Sequence, residues 1–171
     1  YFLAVGRLTE QKNFIFLCRA FKKLVQENNS LKLLIAGSGE DEMEIRNFIK
    51  LHNLQKNITL LGYIHNIYPY FKNSNGFILS SLWEDPGFVL IEASYCRAPV
   101  LSSNSWPGPV EIIKHNYNGI LYENNNIDDF IVKFNELENF RDKFKLKLNN
   151  LKNSKKFTLF SHYKTLSQLI L

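Results

Sequence analysis

Short, mostly apolar runs alternate along this chain with longer segments in which apolar residues recur every three or four positions. Phe2-Leu3-Ala4-Val5 is apolar on consecutive residues, and five similar runs follow. They predict strands over 1–5, 32–36, 58–61, 76–79, 99–102 and 119–122. Runs without polar alternation suit strands covered on both faces, as in a parallel sheet. Between them, Phe14, Leu17, Phe21 and Leu24 keep helical spacing, as do Ile45, Phe48, Ile49 and His52. Asp41, Glu42 and Glu44 stand at the start of that second helix, where carboxylates complement the helix dipole. A third helix is predicted from about Phe88 through Leu90, Ala93 and Cys96, and from Ile127 onward the pattern is helical throughout. Repeated strand–helix–strand units imply right-handed crossovers. The expected fold is therefore α/β: a Rossmann-like doubly wound parallel sheet of about six strands with C-terminal helices.

Ligands of such a sheet gather outside the carboxyl ends of its strands, so the loops there carry the candidate chemistry. After the first strand comes Gly6-Arg7-Leu8-Thr9-Glu10-Gln11-Lys12. Gly6 permits a sharp turn. A forked guanidinium at Arg7 and a point charge at Lys12 suit a diphosphate, although two solvated loop charges would look the same in sequence. After the fourth strand comes Glu84-Asp85-Pro86-Gly87-Phe88-Val89-Leu90-Ile91-Glu92. Gly87 lets a ligand approach the backbone, and the first amides of the following helix, at Phe88 and Val89, form an anion site. Glu84 and Glu92 flank that helix start. They would repel phosphate but accept hydrogen bonds from sugar hydroxyls, Glu92 from a ribose and Glu84 from a hexose. A loop glutamate and a helix-start glutamate remain the plain alternative.

Composition narrows the class. With 171 residues, 45% of them hydrophobic and 22% charged, the chain is globular rather than disordered, and its length suits one domain over 1–171. The net charge of +5 is local: between Asn139 and Lys156 seven cations face Asp142 alone, leaving the rest near −1. That distribution argues against a nucleic-acid binder with a charged whole surface. Cys18 and Cys96 lie in apolar helical contexts without CxxC or Cys/His clustering, which suits a reducing compartment and a cytoplasmic location. No apolar run is long enough to span a membrane. The chain opens on Tyr1 inside a predicted strand, so a preceding domain is expected. His52, His65, His115 and His162 are scattered without ligand spacing, no Asp-x-Asp occurs, and Glu40-x-Glu42 reads as helix-start charge; no metal site is expected. His52, on an apolar face, reads as a satisfied core histidine.

The Gly6-Arg7-Leu8…Lys12 loop, the Gly37-Ser38-Gly39 turn and above all the Glu84-x7-Glu92 spacing resemble the donor-binding half of retaining GT-B glycosyltransferases, family 4 most of all. The likeness runs nearly end to end, through Val100-Leu101-Ser102-Ser103, Pro107-Gly108-Pro109-Val110-Glu111-Ile112 and Asn118-Gly119-Ile120-Leu121-Tyr122 to a closing helix around Phe160-Ser161-His162-Tyr163. It implies that Arg7 and Lys12 hold a nucleotide diphosphate, that Glu84 meets the donor sugar and Glu92 the ribose, and that the Phe88 and Val89 amides meet a phosphate or the sugar. Gly37, Tyr63 and Ile64 would border the base. The implied reaction passes a sugar from a nucleotide-diphosphate sugar, UDP-linked by preference, to a glycan or lipid-linked acceptor with retention and without a metal or other cofactor. The acceptor side would belong to an N-terminal domain outside this chain, so the chain alone would bind nucleotide weakly and turn over nothing. One departure stands out: where the family commonly has Glu-Gly-Phe-Gly, this chain has Glu84-Asp85-Pro86-Gly87, and Pro86 removes one donor amide.

Two other functions fit the same features: a non-catalytic module that binds nucleotide sugars or scaffolds a polysaccharide complex, and a GT-B sugar-nucleotide epimerase. A dinucleotide enzyme is disfavoured, because Glu42 stands where the Gly37-Ser38-Gly39 fingerprint needs a third glycine. Two readings stay open for the basic stretch, in which Leu137, Phe140, Phe144, Leu148 and Leu151 form an apolar stripe between the lysines. It is either a core-packed helix with a solvated basic face or a peripheral contact with an anionic membrane.

Overall fold

In the computed structural model, which describes residues 1–170, six parallel strands form one sheet in the order β3-β2-β1-β4-β5-β6. The strands are β1 (Phe2–Val5), β2 (Leu33–Ala36), β3 (Ile58–Gly62), β4 (Gly76–Leu79), β5 (Val100–Ser103) and β6 (Ile120–Tyr122). All six fall on the apolar runs. β1 is the central strand, with Ala4 opposite Ile35 of β2 and Leu3 opposite Phe77 of β4. The strand order reverses between β1 and β4, which opens a crevice at their carboxyl ends.

Helices cover both faces. α1 (Phe14–Glu27), α2 (Glu42–Leu51) and α6 (Ile127–Glu138) pack on one side; α3 (Tyr68–Asn73), α4 (Phe88–Tyr95) and α5 (Gly108–Ile112) pack on the other. α7 (Lys143–Ser154) lies on α4, and α8 (Leu159–Ile170) follows it. β1 explains why its sequence shows no alternation: Phe2 and Ala4 point into the first layer, Leu3 into the second, and all three are buried. The first layer is aromatic. Phe130 packs edge-on against Tyr122 at 5.0 Å between ring centres, and Phe2 lies 4.6 Å from Phe134. Tyr122 is wholly enclosed, and its hydroxyl donates to the Leu79 carbonyl at 3.0 Å, so its polar atom is not stranded.

α3 and α5 carry no periodic signal, because six and five residues are too few to repeat a face. The stripe from Leu137 to Leu151 is not one helix. α6 stops at Glu138, Asn139 caps it, and α7 starts afresh behind Asp142, whose side chain accepts from the Lys145 amide at 2.9 Å. The buried face of α7 is Leu146, Asn150, Asn153 and Ser154, while Phe144 is 70% exposed. The core-packed reading therefore fails for Phe144. Polar side chains anchor this helix: Asn150 Nδ2 donates to the Ala98 carbonyl at 2.8 Å and Asn153 Nδ2 to that of Ile112 at 2.6 Å. His52 is half-buried, its ring 4.4 Å from Phe48 and its Nδ1 3.2 Å from the Lys22 ammonium. Cys18 and Cys96 are both free thiols, and burial pushes that of Cys18 up to about 12.

Candidate functional site

The site grows from the loop after β1. The Gly6 amide donates to the Ala36 carbonyl at 3.0 Å, which keeps the β1 and β2 loops side by side beyond the strands. That approach requires glycine at position 37: its φ is +142°, and a Cβ there would sit 1.8 Å from the Gly6 carbonyl oxygen. A 3-10 turn at Glu10–Lys12 then folds the chain back, so that the Lys12 stem passes over Gly6, 3.3 Å from where a Cβ would be. The ammonium of Lys12 ends at Glu84, with which it forms an ion pair.

The loop after β4 is laced to this turn. Ser80 Oγ donates to the Lys12 carbonyl at 2.7 Å, the Leu82 amide to that of Gln11 at 2.8 Å, and Gln11 Nε2 to that of Trp83 at 3.0 Å. Glu84 is only 5% exposed, and its Oε1 accepts from Ser81 Oγ at 2.5 Å as well as from Lys12. A buried carboxylate needs such partners, since an unpaired one costs several kcal/mol. The carbonyl of Glu84 accepts from the Gly108 amide at 3.1 Å, and a Cβ on Gly108 would fall 2.2 Å from the Pro86 carbonyl oxygen. The start of α5 thus clamps the Glu84–Gly87 turn from behind. Gly87, with φ +83°, caps α4, and the amides of Phe88 and Val89 find no acceptor among the described residues. Two unpartnered amides at the positive end of a helix, beside an ammonium, make an anion site.

Two cavities result. One, of about 220 Å³, is lined by Val5, Gly6, Arg7, Gly37, Tyr63, Ile64 and Ile67 among others. The other, of about 340 Å³, is lined by Val5, Gly6, Lys12, Glu84, Asp85, Gly87, Phe88, Val89 and Glu92. Val5 and Gly6 line both, so the cavities adjoin across the end of β1. Every residue that the sequence nominates falls in one or the other. They are not arranged quite as expected, however. Arg7 borders the first cavity and Lys12 the second, so they flank the junction rather than converge on one point. Glu84 is committed to Lys12 and Ser81 through one oxygen, leaving Oε2 without a protein partner. Ser81 has a sequence signal, a pair of hydroxyls directly after an apolar strand. Ile67 has none, because its place in the first cavity depends on how the β3 loop folds back. Among the described residues no three histidine, cysteine or carboxylate side chains come together as a metal-binding group.

Burial pushes the Glu92 carboxyl above its ordinary value. The sign follows: below the unfolded-state pKa both states are protonated and the burial costs nothing, whereas above the folded-state pKa the folded protein carries an ionised, desolvated group. Glu92→Gln should therefore raise Tm at neutral pH. That gain should shrink as pH falls through the Glu92 titration, as thermal melts across a pH series would show. A gain independent of pH would contradict this assignment.

Comparison with known proteins gives one consistent outcome. The family model described as glycosyl transferases group 1 matches residues 1–167. An uncharacterized glycosyltransferase of Methanocaldococcus jannaschii is 42% identical over 112 residues, covering 66% of this chain and 28% of that protein. The Escherichia coli UDP-Gal:alpha-D-GlcNAc-diphosphoundecaprenol alpha-1,3-galactosyltransferase is 36% identical over 134 residues, covering 76% of this chain and 34% of its own length. Among solved structures, a mutant of S. aureus TarM in complex with Fondaparinux, alpha-GlcNAc-glycerol and UDP superposes with a TM-score of 0.90 at 26% identity, over 98% of this chain and 35% of that one. The chain thus spans about a third of the length of the relatives it matches.

Proposed function

Since the chain belongs to the group 1 glycosyl transferases, we propose that it is the donor-binding part of an enzyme that moves a sugar from a nucleotide-diphosphate sugar to a glycan or lipid-linked acceptor. The observation that carries this reading is the adjoining pair of cavities at the β1 end, one largely apolar, the other lined by Lys12, the free amides that open α4 and the carboxylates of Glu84, Asp85 and Glu92. The first suits a base between Gly37, Tyr63 and Ile64; the second, which Glu92 lines, suits the ribose, the diphosphate and the sugar. UDP is the favoured carrier, supported by the UDP in the similar TarM complex and by the UDP-Gal of the Escherichia coli relative. A lipid-linked acceptor is supported by that relative's diphosphoundecaprenol substrate.

In the reaction the bond between the anomeric carbon and the diphosphate oxygen breaks as the acceptor oxygen bonds to the same carbon. The acceptor's proton leaves with the departing diphosphate, and retention follows if both events use one face of the sugar. Negative charge accumulates on the leaving diphosphate. Lys12 and the α4 amides stand where they would stabilise it, and Arg7 would reach it from across the junction with the first cavity, which is electrostatic preorganisation. Lys12 spends one of its three N–H bonds on Glu84, leaving two for phosphate oxygens. Glu84 Oε2 is free to accept from a hydroxyl of the sugar, and Glu92 is placed to take the ribose. An N-terminal domain would bring the acceptor to this cleft. The proposed localisation is cytoplasmic, at the inner face of the membrane where a lipid-linked acceptor would be met.

Calorimetric titration of the intact protein with UDP, GDP and ADP tests the donor side. UDP should bind at least tenfold more tightly than the purine nucleotides. Tighter binding of GDP or ADP would overturn the base assignment; failure of all three would overturn the reading itself.

A further inference from the structure

We propose that the outward face of α7 is a docking surface for an anionic lipid bilayer. Four observations carry the inference. First, the protein's excess charge is concentrated here: seven cations and one carboxylate lie between Asn139 and Lys156. Second, that carboxylate is spent locally, since Asp142 caps α7 through the Lys145 amide. Third, Phe144 is 70% exposed between Lys143 and Lys145, and Leu148 follows one turn later on the same face, with Lys152 a further turn on. Fourth, the opposite face is pinned by Asn150 and Asn153 to the carbonyls of Ala98 and Ile112, so the basic, aromatic face is held outward on a rigid support.

A helix that sets lysines around an exposed phenylalanine, with the half-buried Leu148 beside it, suits the boundary between headgroups and acyl chains. The ammonium groups meet anionic lipid while the apolar side chains insert, and the long lysine stems reach back to the headgroups. No described helix is long and apolar enough to cross a membrane, so such contact would be peripheral. Nucleic acid fits less well. Phe144 is the one ring on α7, so successive bases would find no stacking platform, and six of the seven cations are lysines rather than the arginines that read phosphate bidentately. The surface is separate from the two cavities, so it goes beyond the proposed transfer reaction and does not rest on it.

Co-sedimentation of the intact protein tests this with vesicles of phosphatidylcholine alone and with one-third phosphatidylglycerol. Binding should be at least tenfold stronger to the anionic vesicles at 50 mM salt and should fall steeply by 500 mM, about the behaviour expected when several ion contacts act together. A variant with Lys145, Lys152 and Lys155 changed to glutamine should lose at least tenfold in vesicle affinity, and Phe144→Ser should lose several-fold. Both should keep the parent Tm and UDP affinity, whereas Lys50→Gln on α2 should bind vesicles as the parent does. Equal binding to both vesicle types, no binding at low salt, or triple-variant affinity equal to the parent's would overturn the proposal. So would a competing single-stranded RNA that binds the same face more tightly than vesicles do. UDP binding in the same samples separates failure of this surface from failure of the donor-site reading.

Discussion

Glu84→Gln in the intact protein should lower kcat/KM for sugar transfer by about 10²- to 10³-fold, which corresponds to about 2.7–4 kcal/mol of transition-state stabilisation. The geometry gives two reasons. The carboxylate holds the Lys12 ammonium beside the free amides of Phe88 and Val89, and its second oxygen is the acceptor placed to meet the sugar. The amide keeps the shape and can still accept from Ser81, so the turn clamped by Gly108 should survive and the protein should melt within a few degrees of the parent. Lys12→Ala should fall in the same range. Because the two side chains act as a unit, the double variant should lose little more than either single one, and the coupling read from that cycle should reach about 1–3 kcal/mol. Strict additivity of the two losses, or transfer by Glu84→Gln within tenfold of the parent, would separate Glu84 from the chemistry.

The sheet was legible because its physics is written in consecutive residues. A strand buried on both faces tends to be apolar on consecutive positions, as β1, β2 and β4 are, while β5 ends on the buried Ser102 and Ser103. The long amphipathic helices α1 and α2 were legible for the complementary reason. What sequence could not convey was where a periodic stripe breaks. Leu137 to Leu151 keeps helical spacing, yet Asn139 ends one helix and Asp142 starts the next, and the new helix is rotated so that asparagines face inward. Asparagines became the buried residues because carbonyls of Ala98 and Ile112 lie open to them, a tertiary fact with no local signature.

The site was legible through its glycines and charges, since each loop sits directly after a strand and the doubly wound sheet brings those ends together. The division of labour was not. Arg7 and Lys12 are close in sequence, which suggested one cradle, but the 3-10 turn between them sends them to different cavities. Ser80 and Gln11, which tie the β1 and β4 loops together, act across the fold on partners up to 72 residues away, and nothing in the sequence announces such pairs.

Gly37→Ala should destabilise the protein by about 2–4 kcal/mol, a fall in Tm of roughly 10 °C for a domain of this size. The φ of +142° is strained for any L residue, and the added methyl would collide with the Gly6 carbonyl at 1.8 Å, a backbone atom that cannot rotate away. Relief requires the β1 and β2 loops to part. Those loops meet where the two cavities adjoin, so UDP affinity should fall with stability, by tenfold or more. Gly62→Ala is the informative control. Gly62 also has positive φ, at +70°, but nothing lies within 4 Å of its Cβ position. It should carry only the conformational cost of about 1–2 kcal/mol and leave nucleotide binding nearly intact. The two variants thus separate backbone strain from collision. If Gly37→Ala were no worse than Gly62→Ala in either Tm or UDP affinity, the close approach of the two loops would not be what shapes the donor cleft.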